Sequence, residues 1–110
     1  MNALRNKVQL IGHVGQEPEI KTFDGGKKLA NLTIATNDSY KNDKGEKVEQ
    51  TEWHKVVAWG KTAEIIEKYV TKGKEIAIEG KLTHRSYDDK NGEKRYVTEV
   101  VANEVLLLGK

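Results

Sequence analysis

A chain of 110 residues, 36% of them hydrophobic and 33% charged, suits one domain with a small core. It is too polar for a membrane protein, and no apolar run approaches the ~20 residues of a membrane span. A net charge of +2 argues for no particular partner, so any electrostatic case rests on where the charges fall. Cysteine is absent, which excludes disulfides and thiol chemistry. The opening "MNALRNKVQL" has no apolar h-region and no cleavage signature, so the cytoplasm is the expected compartment.

Alternation at period two dominates the chain. "NKVQLIGHVG" places Val8, Leu10, Gly12 and Val14 on one side of a first strand, and "KLANLTIATNDSY" does the same with Ala30, Leu32, Ile34 and Thr36. In "TEWHKVVAW" the parity is unusual: Trp53, Lys55, Val57 and Trp59 share one side, and His54, Val56 and Ala58 the other. "GKTAEIIEKYVTKG" breaks the alternation, with Ala63, Ile66, Tyr69 and Val70 at helical spacing. Thr62 is the better N-cap by chemistry, Glu64 and Lys68 form an i, i+4 pair, and Gly73 offers a left-handed stop. "KEIAIEGKLTHRSY" follows, with Ile76, Ile78, Gly80 and Leu82 inward and Lys81, Thr83, Arg85 and Tyr87 outward. The β-branched "RYVTEVVANEVLLL" is the last strand. Residues 41–50 and 88–94 read as long hairpin loops, and "DGGKK" at 24–28 as a hairpin turn. The order strand, strand, strand, helix, strand, strand predicts an all-β OB-fold, a five-stranded Greek-key barrel with one helix between strands 3 and 4, filling a single domain over residues 1–110.

The aromatic residues divide by their neighbours. Tyr69 falls on the apolar face of the helix and is expected in the core, and Phe23 beside its turn is expected to cover a barrel end. Lysine does not belong on a core face, so Trp53 and Trp59 beside Lys55 are expected on the surface. Tyr87 shares a face with Arg85, and Tyr40 ends its strand beside Lys41. Rings interleaved with cations suit single-stranded nucleic acid, because rings stack on bases and cations track phosphates. Each of Lys7, Lys61, Lys72 and Lys81 taken alone could be ordinary solvated surface, and Lys72 could complement the helix C-terminus. His13, His54 and His84 are spread over separate strands with no zinc spacing, Asp88 and Asp89 sit in a turn, and no serine has a supporting motif. No enzymatic activity, metal or cofactor is expected.

The sequence resembles the bacterial single-stranded DNA-binding protein family. The resemblance is carried by "NKVQLIGHVGQEPE", "LTIATNDSYKNDKGE", "QTEWHKVVAWGKTAE", "YVTKGKEIAIEGKL" and "RYVTEVVANEVLLLG", nearly the whole chain. It implies sequence-tolerant binding and protection of single-stranded DNA in replication, recombination and repair, by a homotetramer at the nucleoid in the cytoplasm. It also implies stacking roles for Trp53, Trp59, Tyr40 and Tyr87, and phosphate contacts for Lys7, Lys55, Lys61, Lys72 and Arg85. The first strand, near Lys7 to Val14, is expected at a subunit interface, where Ile11 opposes Val8 and Leu10. His54 is expected either near a subunit contact or packed inside. Family members continue into a flexible linker and an acidic, aromatic-ended tip. This sequence stops at "VLLLGK", so no C-terminal tail and no tail-dependent recruitment of replication proteins is expected. Two rival readings stand beside this one: an OB-fold accessory subunit of a replication-restart complex working mainly through protein contacts, and an RNA- or oligosaccharide-binding OB domain.

Overall fold

The computed structural model describes residues 5–108. Six strands and one helix follow in the order β1 (Val8–Val14), β2 (Glu19–Thr22), β3 (Lys28–Lys41), β4 (Lys47–Trp59), α1 (Lys61–Tyr69), β5 (Glu75–Asp88) and β6 (Lys94–Leu107). The sheet order is β1-β5-β6-β4-β3-β2, and β1 also pairs with β3, which closes β1, β3, β4, β5 and β6 into a barrel. This is the expected OB-fold, with the helix between the third and fourth barrel strands.

Closure depends on β1 pairing on both sides. Val8 to His13 run antiparallel to Gly80 to Glu75, and His13 and Val14 then face Ala35 and Ile34 on β3. At Gly12 the strands come so close that a Cβ would collide with the carbonyl oxygen of Ala35, so only glycine lets β1 bend across the gap. Inside lie Val14, Ala30, Leu32, Ile34, Val56, Ala58, Ile76, Ile78, Val100 and Ala102, capped by Ala63 and Ile66 from the helix and by Val70 just after it. On β1, β3, β4 and β5 these are the inward positions that alternation assigns, and Val100 and Ala102 add the inward side of β6. Full burial of one such aliphatic side chain contributes about 1.5–3 kcal/mol.

Several expectations need correcting. A short extra strand, β2, pairs with the start of β3, from Glu19 opposite Asn31 to Thr22 opposite Lys28. The two long loops are mostly strand. β3 and β4 pair out to Lys41 and Lys47, and β5 and β6 out to Asp88 and Lys94, so only tight turns remain. Both segments are exposed on both faces, which removes the burial pattern that would have marked them as strands. Leu82 is exposed, because β5 leaves the barrel beyond a register shift at Glu79/Gly80. The helix starts directly after β4, so its N-cap is Gly60 at φ 62°, with no side-chain cap bond. Thr62 instead points its hydroxyl toward the carbonyl of Asn103. The helix stops at Tyr69 and Val70 takes the core position, which leaves Tyr69 half exposed with Lys68 over its ring at 5.4 Å. Gly73 serves the next turn, where its N–H donates to the carbonyl of Val14.

β4 and β6 are parallel and pair only at Val56–Ala58 and Val100–Ala102. The hairpin segments of both strands precede that contact. The β3–β4 and β5–β6 hairpins therefore leave the barrel from the same end as two arms.

Candidate nucleic-acid interface

Register converts the strand alternation into a two-dimensional map of the barrel's outer face. Lys21, Leu29 and Trp59 form one row across β2, β3 and β4. Glu19, Asn31, Val57, Val101 and Lys81 form the next, reaching β6 and β5. Thr33 faces Lys55, and Ala35 faces Trp53. On β5 and β6, Thr83 faces Glu99, Arg85 faces Val97, and Tyr87 faces Arg95. Trp53, Lys55 and Trp59 thus share a surface with Arg85 and Tyr87, opposite the core. Val57 on this surface is 5% exposed yet stands outside the core cluster, between Asn31 and Val101.

Trp53 is 64% exposed. Its ring lies against the backbone at Gly15, where a Cβ would collide with it. Contact on one side and solvent on the other is the geometry of a stacking platform. An open groove beside it is lined by Gln16, Asn31, Thr33 and Lys55, with Glu17 and Glu19 at its border. Lys55 is exposed and makes no ion pair among the described residues. His54, on the other face, is half buried and shares a 2.9 Å hydrogen bond with the Thr36 hydroxyl.

Trp59 sits at the far end of β4, about 20 Å from Trp53 at ~3.3 Å per residue. Phe23 stacks on it, with centroids 6.0 Å apart and planes inclined by 27°. Lys27 holds its ammonium 5.1 Å from the indole centroid. Sequence reasoning missed both partners. The signal was the string "FDGGKK", where a two-glycine turn returns a lysine opposite a phenylalanine, but it becomes legible only once β2 is known to be a strand.

The remaining expected residues are more scattered. Tyr40 and Tyr87 are half exposed on the two arms. By alternation Tyr40, opposite Val48, lies on the other side of its ribbon from Trp53. Lys61 is the first helical residue, two positions beyond Trp59. Lys72 lies in the turn before β5, and its backbone N–H donates to Glu17 at 2.9 Å, which ties that turn to the groove border. Arg85 donates from Nε to Glu99 Oε1 at 2.9 Å. Glu99 is 7% exposed, and its Oε2 has no hydrogen-bond partner. Lys7 is bonded to Glu79 at 3.0 Å, on the β1–β5 flank and away from the tryptophans. Neither carboxylate partner was legible in sequence, because cross-strand register decides both.

In OB-folds the face of the second and third barrel strands, with the loops joining strands 1–2 and 4–5, is the usual oligonucleotide surface. Here that surface comprises β3, β4, the β2 hairpin and the β5–β6 arm. Residues 5–108 match the Single-strand binding protein family. The chain belongs to that family. Among its relatives, Single-stranded DNA-binding protein 1 of Chlorobaculum tepidum is 47% identical over 105 residues, covering 94% of this chain and 65% of the relative. Single-stranded DNA-binding protein 1 of Xylella fastidiosa is 45% identical over 106 residues, covering 96% and 78%. The chain thus spans about two-thirds to three-quarters of the length of these family members. A solved Plasmodium falciparum SSB in complex with ssDNA superposes with a TM-score of 0.88 at 32% identity, over 99% of this chain and 100% of that one. A deletion mutant of the Thermus aquaticus single-stranded DNA binding protein superposes at 0.81 with 31% identity, over 94% and 50%.

Among the described residues no helix is long and apolar enough to cross a membrane, and no group of side chains could hold a metal ion.

Proposed function

We propose that this chain binds single-stranded DNA with little regard to sequence, in replication, recombination and repair within the cytoplasm. The observation that carries this reading is the pair of exposed tryptophans flanking the unpaired Lys55, on the face opposite the core. Trp53 and Trp59 provide the main stacking surfaces, and Tyr87 extends the path along its arm; Tyr40, on the other side of its ribbon, is met only where the strand wraps around the β3–β4 arm. Lys55 is the central phosphate contact, with Lys61 beyond Trp59 and Lys72 near the groove border at Glu17 extending the track. Arg85 joins by exchanging Glu99 for phosphate, whereas Lys7, paired with Glu79 on the β1–β5 flank, is reached only by a strand that continues past the β3–β4 face. No chemical step is assigned to the protein: binding, and the exclusion of other proteins from the strand, is the function.

Assembly into a homotetramer belongs to the same proposal. Ile11, Ala77 and Leu106 form one row across β1, β5 and β6 on the outer side of the barrel. Ile11 is 52% and Leu106 63% exposed, and Ile65 adds a half-exposed side chain beside Leu106. Exposed aliphatic side chains in a continuous row suit burial against another copy of the chain.

Fluorescence titration with oligo-dT, with light scattering on the same samples, tests both parts. Quenching of the indoles at a saturable oligonucleotide length and a tetrameric mass are expected. Unchanged emission and no mobility shift at micromolar protein would reject DNA binding, and a monomeric mass would reject the assembly.

A further inference from the structure

We infer that Glu17 is a positioning residue of the single-strand groove, whose carboxylate locks the loop under the Trp53 ring to the turn that carries Lys72. The inference rests on the proposed DNA binding and adds a residue that acts without touching the strand. On charge alone, an acid at the border of a groove for phosphates is out of place. Glu17 and Glu19 both stand there. The Glu19 carboxylate has no hydrogen-bond or ion-pair partner among the described residues. Glu17 differs, because its Oε1 accepts the backbone N–H of Lys72 at 2.9 Å, across 55 residues of sequence. The bond takes the main chain of Lys72 and leaves the ammonium, which has no carboxylate partner among the described residues, available to a phosphate.

Backbone bonds hold the start of this loop. The Val14 N–H donates to the Lys74 carbonyl at 2.9 Å, the Gly73 N–H returns to the Val14 carbonyl at 2.8 Å, and the Gly15 N–H donates to the Thr33 carbonyl at 3.0 Å. Strand pairing resumes only where Glu19 faces Asn31. Glu17 is the tether between these two anchored points. Trp53 rests on the same loop, since a Cβ on Gly15 would collide with its ring. The Glu17–Lys72 bond thus fixes the floor of the ring and the base of the lysine relative to each other. Groups already in place lose less freedom on binding than groups that must be gathered. Glu17 is exposed, so water and salt screen the repulsion between its charge and a passing phosphate.

The test compares Glu17→Gln with Glu17→Ala in the whole chain. Both remove the charge, but only Gln keeps an oxygen for the Lys72 N–H, so a difference between them reports the tether. Glu17→Ala should bind oligo-dT about three-fold or more weakly than Glu17→Gln, the scale of ordering one long side chain on binding. Adding Lys72→Ala should flatten the slope of log K against log salt by about 0.7 beside Glu17→Gln, and by clearly less beside Glu17→Ala. With Trp59→Phe also present, Trp53 is the only indole, and acrylamide should quench it more readily in Glu17→Ala before any DNA is added. Glu19→Gln and Glu19→Ala should bind alike. If the unmodified chain binds and the two Glu17 variants match in affinity, quenching and salt slope, the positioning role is refuted and the general reading survives. A lower melting temperature in Glu17→Ala, with the affinity and salt slope of its folded fraction equal to those of Glu17→Gln, would also refute it. If the unmodified chain does not bind, both fall.

Discussion

The barrel presents two outer faces that both leave apolar groups in water, and they differ in what surrounds those groups. On the β3–β4 face, rings stand beside cations: Trp53 next to Lys55, and Trp59 with Phe23 next to Lys27 and Lys21. On the β1–β5–β6 face, the row of Ile11, Ala77 and Leu106 stands among Glu75, Glu79 and Glu104. Rings with cations match a polymer of bases and phosphates. Aliphatic side chains have no stacking surface, and carboxylates repel phosphate, so the second face is suited to protein. Exposure of hydrophobic residues alone would not separate the two. The identity of the charges does.

The core between these faces gives the largest expected effect. Val56 is fully buried, one position from each of the outward Lys55 and Val57. Val56→Asp buries an unpaired charge and should cost about 4 kcal/mol or more, enough to unfold much of a marginally stable domain. A cooperative melt close to that of the parent chain would mean that Val56 is not core and that the inward and outward sides of β4 have been assigned the wrong way round.

A double change on the second face, Ile11→Arg with Leu106→Arg, should come next. It should reduce the assembly to smaller species by light scattering, while a short oligo-dT still quenches each protomer's tryptophans. Loss of short-oligonucleotide binding with no change in mass would merge the two faces into one.

Lys55→Ala should act more weakly and only on the first face. The slope of log K against log salt should flatten by about 0.7, the share of one neutralised phosphate on a single strand. An unchanged slope would assign Lys55 to solvent.

The smallest effect concerns pH and neither face directly. Arg95 donates to Asp89, and the backbone N–H groups of Glu93 and Asn91 add to it, holding the Asp89 carboxyl below its ordinary value. A carboxylate lowered in the folded state stabilises above its unfolded pKa and loses that contribution as pH falls through the folded one. Protection of the β5–β6 turn amides, relative to their intrinsic exchange, should therefore fall below about pH 4 with the barrel unaffected, and Asp89→Asn should reproduce this near neutrality. Uniform acid loosening of the whole domain would remove the local role.

The sequence revealed those parts of the fold that have one wet and one dry face. The barrel segments of β1, β3, β4, β5 and β6 alternate, and α1 shifts to helical spacing at Ala63 and Ile66, so both periods could be read. β2 could not, because its four residues, Glu19 to Thr22, are mostly exposed and carry little apolar contrast. The arms were missed for the same reason, since Lys47 to Glu52 and Lys94 to Thr98 are wet on nearly all sides. Trp53 and Trp59 were legible because Lys55 marks their face. The Phe23–Lys27 pair was hidden by the missing strand, and the links of Lys7 to Glu79 and Arg85 to Glu99 by register. Tyr69 misled because a helix that ends one residue before Val70 turns its last ring outward.

The central claim is that Trp53 belongs to a binding surface and not to the core. Trp53→Ala, measured by thermal unfolding and by oligo-dT titration on the same preparation, tests it most directly. The account predicts a loss of about 1–3 kcal/mol in DNA binding, the usual worth of one base–aromatic stack, with a melting temperature close to that of the parent chain. A variant that unfolds, or that melts far below the parent while its folded fraction binds DNA with undiminished affinity, would contradict it.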